Sequence, residues 1–156
     1  KSVASVSMNP TRELDTAERI ARDIDELEEL ESSLGRNKDA RLKVVRLRRW
    51  RLAEAPSVRL SVAGKLLGLS LPTIRTWIDR GLLEEVRGSS PRRVTLRSVL
   101  EIRPLVRELR ALGRDRNLLE AVLARIEDKR ALSDRKLHRS LDEMHSGELI
   151  DITPRA

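Results

Sequence analysis

The sequence predicts a mainly α-helical chain built on a helix-turn-helix with a small two-stranded wing, flanked by helices on both sides. Three observations predict it. Residues 58–83 read as helix, tight turn, helix around Gly68-Leu69-Ser70. Basic candidate strands follow around a Gly-Ser-Ser-Pro tip at 88–91. The remaining segments carry apolar residues at three- and four-residue spacing, the period of one helix face.

In chain order, Asp15 or Thr16 is expected to cap a first helix running to about Leu34. Ala17, Ile20, Ile24, Leu27 and Leu34 form its apolar stripe, and Gly35 stops it. The other faces are acidic, so this helix must pack on the basic segment that follows or on its own copy. A second helix is expected from Asp39 to about Ala53, with Leu42, Val45, Trp50 and Leu52 on its apolar side. Its Arg46, Arg48, Arg49 and Arg51 either touch phosphates or pair with the acidic helix, and the sequence leaves both open. Pro56 ends it.

Leu60–Leu67 and Leu71–Arg80 are the two helices of the corner. Gly68 suits the left-handed backbone that ends a helix, Leu69 points inward, and Ser70 caps the second helix through its hydroxyl. Gly64, inside the first helix, permits a close helix approach. Gly81 stops the second. Glu84–Arg87 and Arg93–Leu96 are the candidate wing strands. A further helix starts near Ser98, and Pro104 either kinks it or opens a fresh one to Leu112. Asn117 is expected to cap a helix from Leu118 to about Arg130. Ser133 is expected to cap a last one, with Leu137, Leu141 and Met144 as its stripe and Gly147 as its end. The tail from Glu148 to Pro154 has β-character suited to a partner's sheet edge.

Composition limits the function classes. The chain has 156 residues with 39% hydrophobic and 37% charged, no Cys, no Phe and no Tyr. The core is therefore expected from aliphatic residues with Trp50 and Trp77. Without cysteine there is no disulfide, thiolate metal site or thiol nucleophile. The sequence holds no apolar run near the roughly 18 residues of a membrane span and no secretory signal, so a soluble, cytoplasmic chain with no membrane partner is expected. Met8 reads as the natural start and residues 1–7 as an expression remnant. The expected organisation is an N-terminal helical arm over 8–56, the winged domain over 57–113 and a C-terminal arm over 114–156.

Formal net charge is +7 and unevenly spread. Residues 11–34 hold nine acids against three arginines, whereas residues 36–59 hold nine basic residues against two acids. Residues 60–100 hold seven basic against three acidic. Positive charge coinciding with a helix-turn-helix favours the phosphate backbone of DNA through counterion release. The second helix of such a corner fits the major groove.

Enzymatic chemistry finds no footing. The carboxylates at 25–29 lie on an exposed helix face without the apolar pocket that raises an acid's pKa. Ser89-Ser90 has no nearby histidine. His138 with Asp142 and Glu143 reads as helix surface rather than a metal site. No catalytic residue, metal or cofactor is expected.

The 58–97 stretch resembles the winged helix-turn-helix of the MerR and excisionase families. Leu66-Leu67-Gly68-Leu69-Ser70 is similar to their turn, Pro72-Thr73-Ile74-Arg75 with Trp77 to their recognition helix, Gly81-Leu82-Leu83 to the lead into the wing, and Arg92-Arg93-Val94 to the wing arginine and its strand. The likeness covers about 40 residues. It implies double-stranded DNA contacts from Ser70, Leu71, Thr73, Arg75, Thr76 and Arg80, and from Arg87, Arg92 and Arg93 of the wing, with Trp77 in the core. The chain departs from the pattern in two places. Thr76 stands where the family often has an aromatic residue, and Pro104 interrupts the region equivalent to its dimerisation helix.

From Asn117 onward the chain resembles the C-terminal arms of bacterial antitoxins, in Leu118–Asp128, in Leu137 with Leu141, and in Gly147-Glu148. That implies a toxin partner met by Leu119, Val122, Ile126, Leu137, Leu141, Met144 and Ile150. Physically, such a segment orders on a partner, packs back on the DNA-binding domain, or closes a homodimer, and a two-fold operator also calls for a dimer. The function expected is a DNA-binding repressor, the antitoxin of a toxin–antitoxin pair. The alternatives are a MerR-type regulator without a toxin and an excisionase-type DNA-bending factor.

Overall fold

A computed structural model describes the backbone of residues 9–151 and the side chains of 9–145. The described residues are mainly helical, with six helices and a two-stranded antiparallel sheet. Residues up to Arg107 form one compact unit and those from Glu108 a second.

Helix α1 runs Pro10–Ser33. It begins earlier than Asp15 or Thr16. Asn9 is the cap, its side chain accepting from Thr11 N–H at 3.1 Å, and Pro10 fills the first turn, where its missing N–H costs nothing. Ala17, Ile20 and Ile24 of the stripe are buried, while Leu27 and Leu34 are half-buried. Gly35 leaves with φ +54°. Helix α2, Lys38–Ala53, is capped by Asn37, which accepts from Ala40 N–H at 3.2 Å. Its packing differs from the expected apolar side. Val44 is its buried residue, Val45 and Leu52 are half-buried, and Leu42 and Trp50 are exposed. Trp50 is thus a surface residue, and the indole of the core is Trp77 alone.

Strand β1, Ser57–Arg59, has no counterpart in the sequence reading. It pairs antiparallel with β2, Arg93–Thr95, in the register Ser57–Thr95, Val58–Val94, Arg59–Arg93. Of the expected first wing strand, 84–87, only a bridge remains between Glu85 and Val94, on the other side of β2. Two backbone bonds hold it, Val86 N–H to Arg93 C=O and Thr95 N–H to Glu84 C=O, both at 2.9 Å. Leu96 belongs to the next helix rather than to a strand.

Helices α3, Leu60–Leu67, and α4, Leu71–Asp79, match the expected corner to within a residue. Val58, Val62, Ala63, Leu67, Ile74, Trp77, Leu83, Val94, Leu96 and Val99 are all buried, so the aliphatic core surrounds the corner. Helix α5, Leu96–Ala111, starts two residues before Ser98, where Thr95 Oγ1 accepts from Ser98 N–H at 3.3 Å. It passes through Pro104 without a break, and the proline is exposed. Gly113, φ +74°, ends the segment, with Arg114 N–H bonded to Leu109 C=O at 3.0 Å.

Helix α6, Leu118–Asp151, is one helix where two were expected. Ser133 is not a cap. The stretch around it, Asp128 to Lys136, contains no Gly or Pro and is rich in Lys, Arg, Ala and Leu, so propagation through one serine costs little. Gly147 likewise lies within the helix, and the backbone at 148–151 is helical rather than extended. The rest of the expected β-tail, 152–154, and the side chain of Ile150 lie outside the described residues.

Candidate functional site

The corner is built by glycine. Gly68 adopts φ +65°, ψ +38°, a left-handed conformation that costs an L side chain energy. This reverses the chain so that Leu69 N–H reaches back to Gly64 C=O at 2.8 Å, a six-residue closure typical of helix C-termini. Gly64 itself has no room to spare. A Cβ there would stand 2.6 Å from the Leu69 carbonyl oxygen and 3.8 Å from Ile74 Cγ1. Leu69 is half-buried.

Ser70 then opens α4. Its hydroxyl accepts weakly from Thr73 N–H at 3.4 Å and lies 2.8 Å from Thr73 Oγ1. Ile74 and Trp77 are buried and set the rotation of the helix. That rotation leaves Leu71, Pro72, Arg75, Thr76, Asp79 and Arg80 exposed and Thr73 half-buried. Thr76 donates its hydroxyl to Pro72 C=O at 3.1 Å. Arg75 and Arg80 have no ion-pair partner among the described residues, and neither does Arg87 in the loop before β2.

The other two wing arginines are occupied. Arg92 forms a two-pronged pair with Glu85, Nε to Oε1 at 2.7 Å and Nη2 to Oε2 at 3.2 Å. The Arg92 hydrogen bond holds the Glu85 carboxyl below its ordinary value, and Glu85 in turn raises Arg92. A lowered carboxyl pKa adds stability above its unfolded value, and that contribution disappears as pH falls through the lower folded one. Acidification in that window protonates Glu85 and releases Arg92. Arg93 is committed more firmly. Its Nε donates to Ser57 Oγ at 3.0 Å, its Nη2 to Ser57 C=O at 2.8 Å, and it pairs with Glu13 Oε2 at 3.2 Å. Arg93, named from the sequence for a phosphate contact, is held by these groups, and its guanidinium joins α1 to the sheet.

Glu13 is the residue that sequence reasoning missed. It is 5% exposed. Its Oε1 accepts Arg59 N–H at 2.6 Å, and its Oε2 faces Arg59 Nε at 3.8 Å as well as Arg93. No local signal marks it, because all its partners lie at least 46 residues away along the chain.

On α6, Val122 is fully buried and therefore not presented to a partner, which corrects its assignment. Leu119 and Ile126 are half-buried. Leu137, Leu141 and Met144 are exposed. His138, Asp142 and Glu143 are also exposed, and no group of three or more metal-ligating side chains occurs among the described residues. None of the described helices is long and apolar enough to cross a membrane. No protein-family model matches the chain, and neither the curated proteins nor the solved structures contain a match to it.

Proposed function

We propose that the chain is a sequence-specific DNA-binding regulator in which α3, the Gly68 turn and α4 act as a helix-turn-helix and the 84–95 segment as its wing. The observation that carries this reading is the outward face of α4. Arg75 on α4 and Arg80 at its C-terminal end stand exposed, with no ion pair among the described residues, while Ile74 and Trp77 of the same helix are locked in the core. A rigid helix with free guanidinium forks suits base edges in the major groove. The Ser70 and Thr73 hydroxyls at the positive end of α4 suit a phosphate, and Arg87 is the wing cation free to meet another. Leu71 and Thr76 add exposed contact surface.

The division of roles gives an expected result. Arg75→Ala should relax sequence preference at one or two base pairs, by about 1–3 kcal/mol of discrimination. Arg87→Ala should weaken all duplexes alike and flatten the salt dependence. Competition binding against single-base operator variants across a salt series separates the two. Equal effects on preferred and random duplexes from both substitutions would oppose the reading.

Glu85 competes with phosphate for Arg92. Glu85→Gln removes that competitor along with a negative charge near the DNA. Affinity is then expected to rise several-fold at low salt, about one additional phosphate contact appearing in the salt slope. Unchanged affinity and slope would leave Arg92 outside the interface.

The reading extends to an antitoxin that represses its own operon as a homodimer and holds a toxin through α6. The exposed Leu137, Leu141 and Met144 support it, lying within eight residues of one another on α6. Truncation after Gly113 should abolish co-purification with the product of an adjacent toxin gene and leave a soluble DNA-binding fragment. Retention of that partner by the truncated chain would remove the arm from the account.

A further inference from the structure

Helix α2 divides its cations between two faces. Arg48 and Arg51 turn toward α1, where Arg48 pairs with Glu31 and Arg51 with Asp23 at 3.0 Å. Lys43, Arg46 and Arg49 are exposed, and no carboxylate among the described residues pairs with them. Trp50, 61% exposed, and Leu42 share their side of the helix. At 100° per residue, Leu42, Lys43, Arg46, Arg49 and Trp50 occupy an arc of about 120°. Val44, the buried residue of α2, lies opposite. Among the described residues no carboxylate neutralises this surface, yet it carries three cations and the one exposed indole of the chain's two.

The chemistry narrows the occupant. Asp39, one turn before Lys43 on the same side, and Glu54, at the end of the helix, form no ion pair with these cations, and the surplus of positive charge calls for a polyanion. An interfacial membrane helix segregates its apolar and basic residues onto separate faces, whereas here Arg46 stands midway between Leu42 and Trp50 on one line. The bases of a duplex are already stacked on each other, so an exposed indole gains most from an unpaired base. We propose that the outward face of α2 binds single-stranded nucleic acid, with Lys43, Arg46 and Arg49 on the phosphates and Trp50 stacked on a base. This surface is independent of the α4 reading, because it uses none of the same residues.

The two tryptophans make the test direct. Trp77 is 1% exposed, so the emission that solvent quenchers reach belongs to Trp50. Titration of the full chain with oligothymidylate of about twenty nucleotides should quench that emission in a saturable, salt-dependent way. The double variant Arg46→Ala/Arg49→Ala is expected to weaken binding roughly tenfold or more, and Trp50→Ala about tenfold by anisotropy of a labelled oligonucleotide. These are surface positions, and an unchanged helical circular dichroism signal checks the fold. Arg75→Ala should leave this titration as it was. Absence of quenching overturns the proposal, as does quenching indifferent to the Arg46/Arg49 pair. A blue shift on phosphatidylglycerol vesicles, with no response to oligothymidylate, assigns the face to a membrane instead. Failure here leaves duplex selection by α4 intact, and failure of that selection leaves this titration intact.

Discussion

Replacing Glu13 by Ala is expected to destabilise the chain by about 3 kcal/mol, measured by urea denaturation at neutral pH. The carboxylate is nearly buried and serves three groups at once: the Arg59 backbone N–H and the guanidinium groups of Arg59 and Arg93. Alanine would orphan that N–H at the sheet edge and take from the Arg59 and Arg93 guanidinium groups the carboxylate that both meet. The half-exposed arginines recover part of their solvation, which keeps the figure at the low end for a broken buried pair. Glu13→Gln retains an acceptor for the N–H but not the charge, so an intermediate loss is expected. A Glu13→Ala variant as stable as the parent would mean that α1 does not anchor the β1–β2 pair.

Gly64→Ala should cost about 1–3 kcal/mol, although alanine is the better helix former by about 1 kcal/mol in an open helix. The sign is decided by distance. The new methyl would lie 2.6 Å from the Leu69 carbonyl oxygen, a backbone atom that cannot rotate away. Relief requires α3 and α4 to separate, which opens the contact with Ile74 and loosens the Gly64–Leu69 closure. Duplex binding should fall with stability, since the direction of Arg75 is set by the seating of Ile74 and Trp77. Thermal denaturation of Gly64→Ala beside Gly81→Ala is informative, because open space surrounds Gly81 and its penalty comes only from its positive φ. A Gly64→Ala variant with an unchanged midpoint would contradict the close crossing.

What could be read from sequence follows the range of the forces involved. Gly68, Ser70 and the α3–α4 boundaries are set by neighbours within a few residues, and the expected corner agrees with the structure. The buried stripe of α1 is also local, since its period is visible in Ala17, Ile20 and Ile24. Strand β1 is three residues long, too short to carry a period, and exists only because β2 lies beside it. Glu13 and Arg93 were illegible for the same reason: charge pairing across 80 residues of sequence has no local signature. Trp50 shows the converse error, in which a large apolar residue at helical spacing is taken for core although the face it occupies is mostly cationic. The continuity of α6 was missed because Ser133 has cap chemistry, and cap chemistry acts only where the preceding turn also ends. Within the candidate interface, Arg75, Arg80 and Arg87 could be named from sequence, but only coordinates separate them from Arg92 and Arg93, which hold carboxylates.

The most direct measurement is selection of bound duplexes from a random-sequence library by the full chain, repeated with Arg75→Ala. If α4 reads base edges, one discrete motif emerges, and the substitution degrades it at a small number of positions while the fold is unchanged. Equal recovery of all sequences by the parent chain, or a motif that Arg75→Ala leaves intact at every position, would contradict the assignment of α4 as the reading helix.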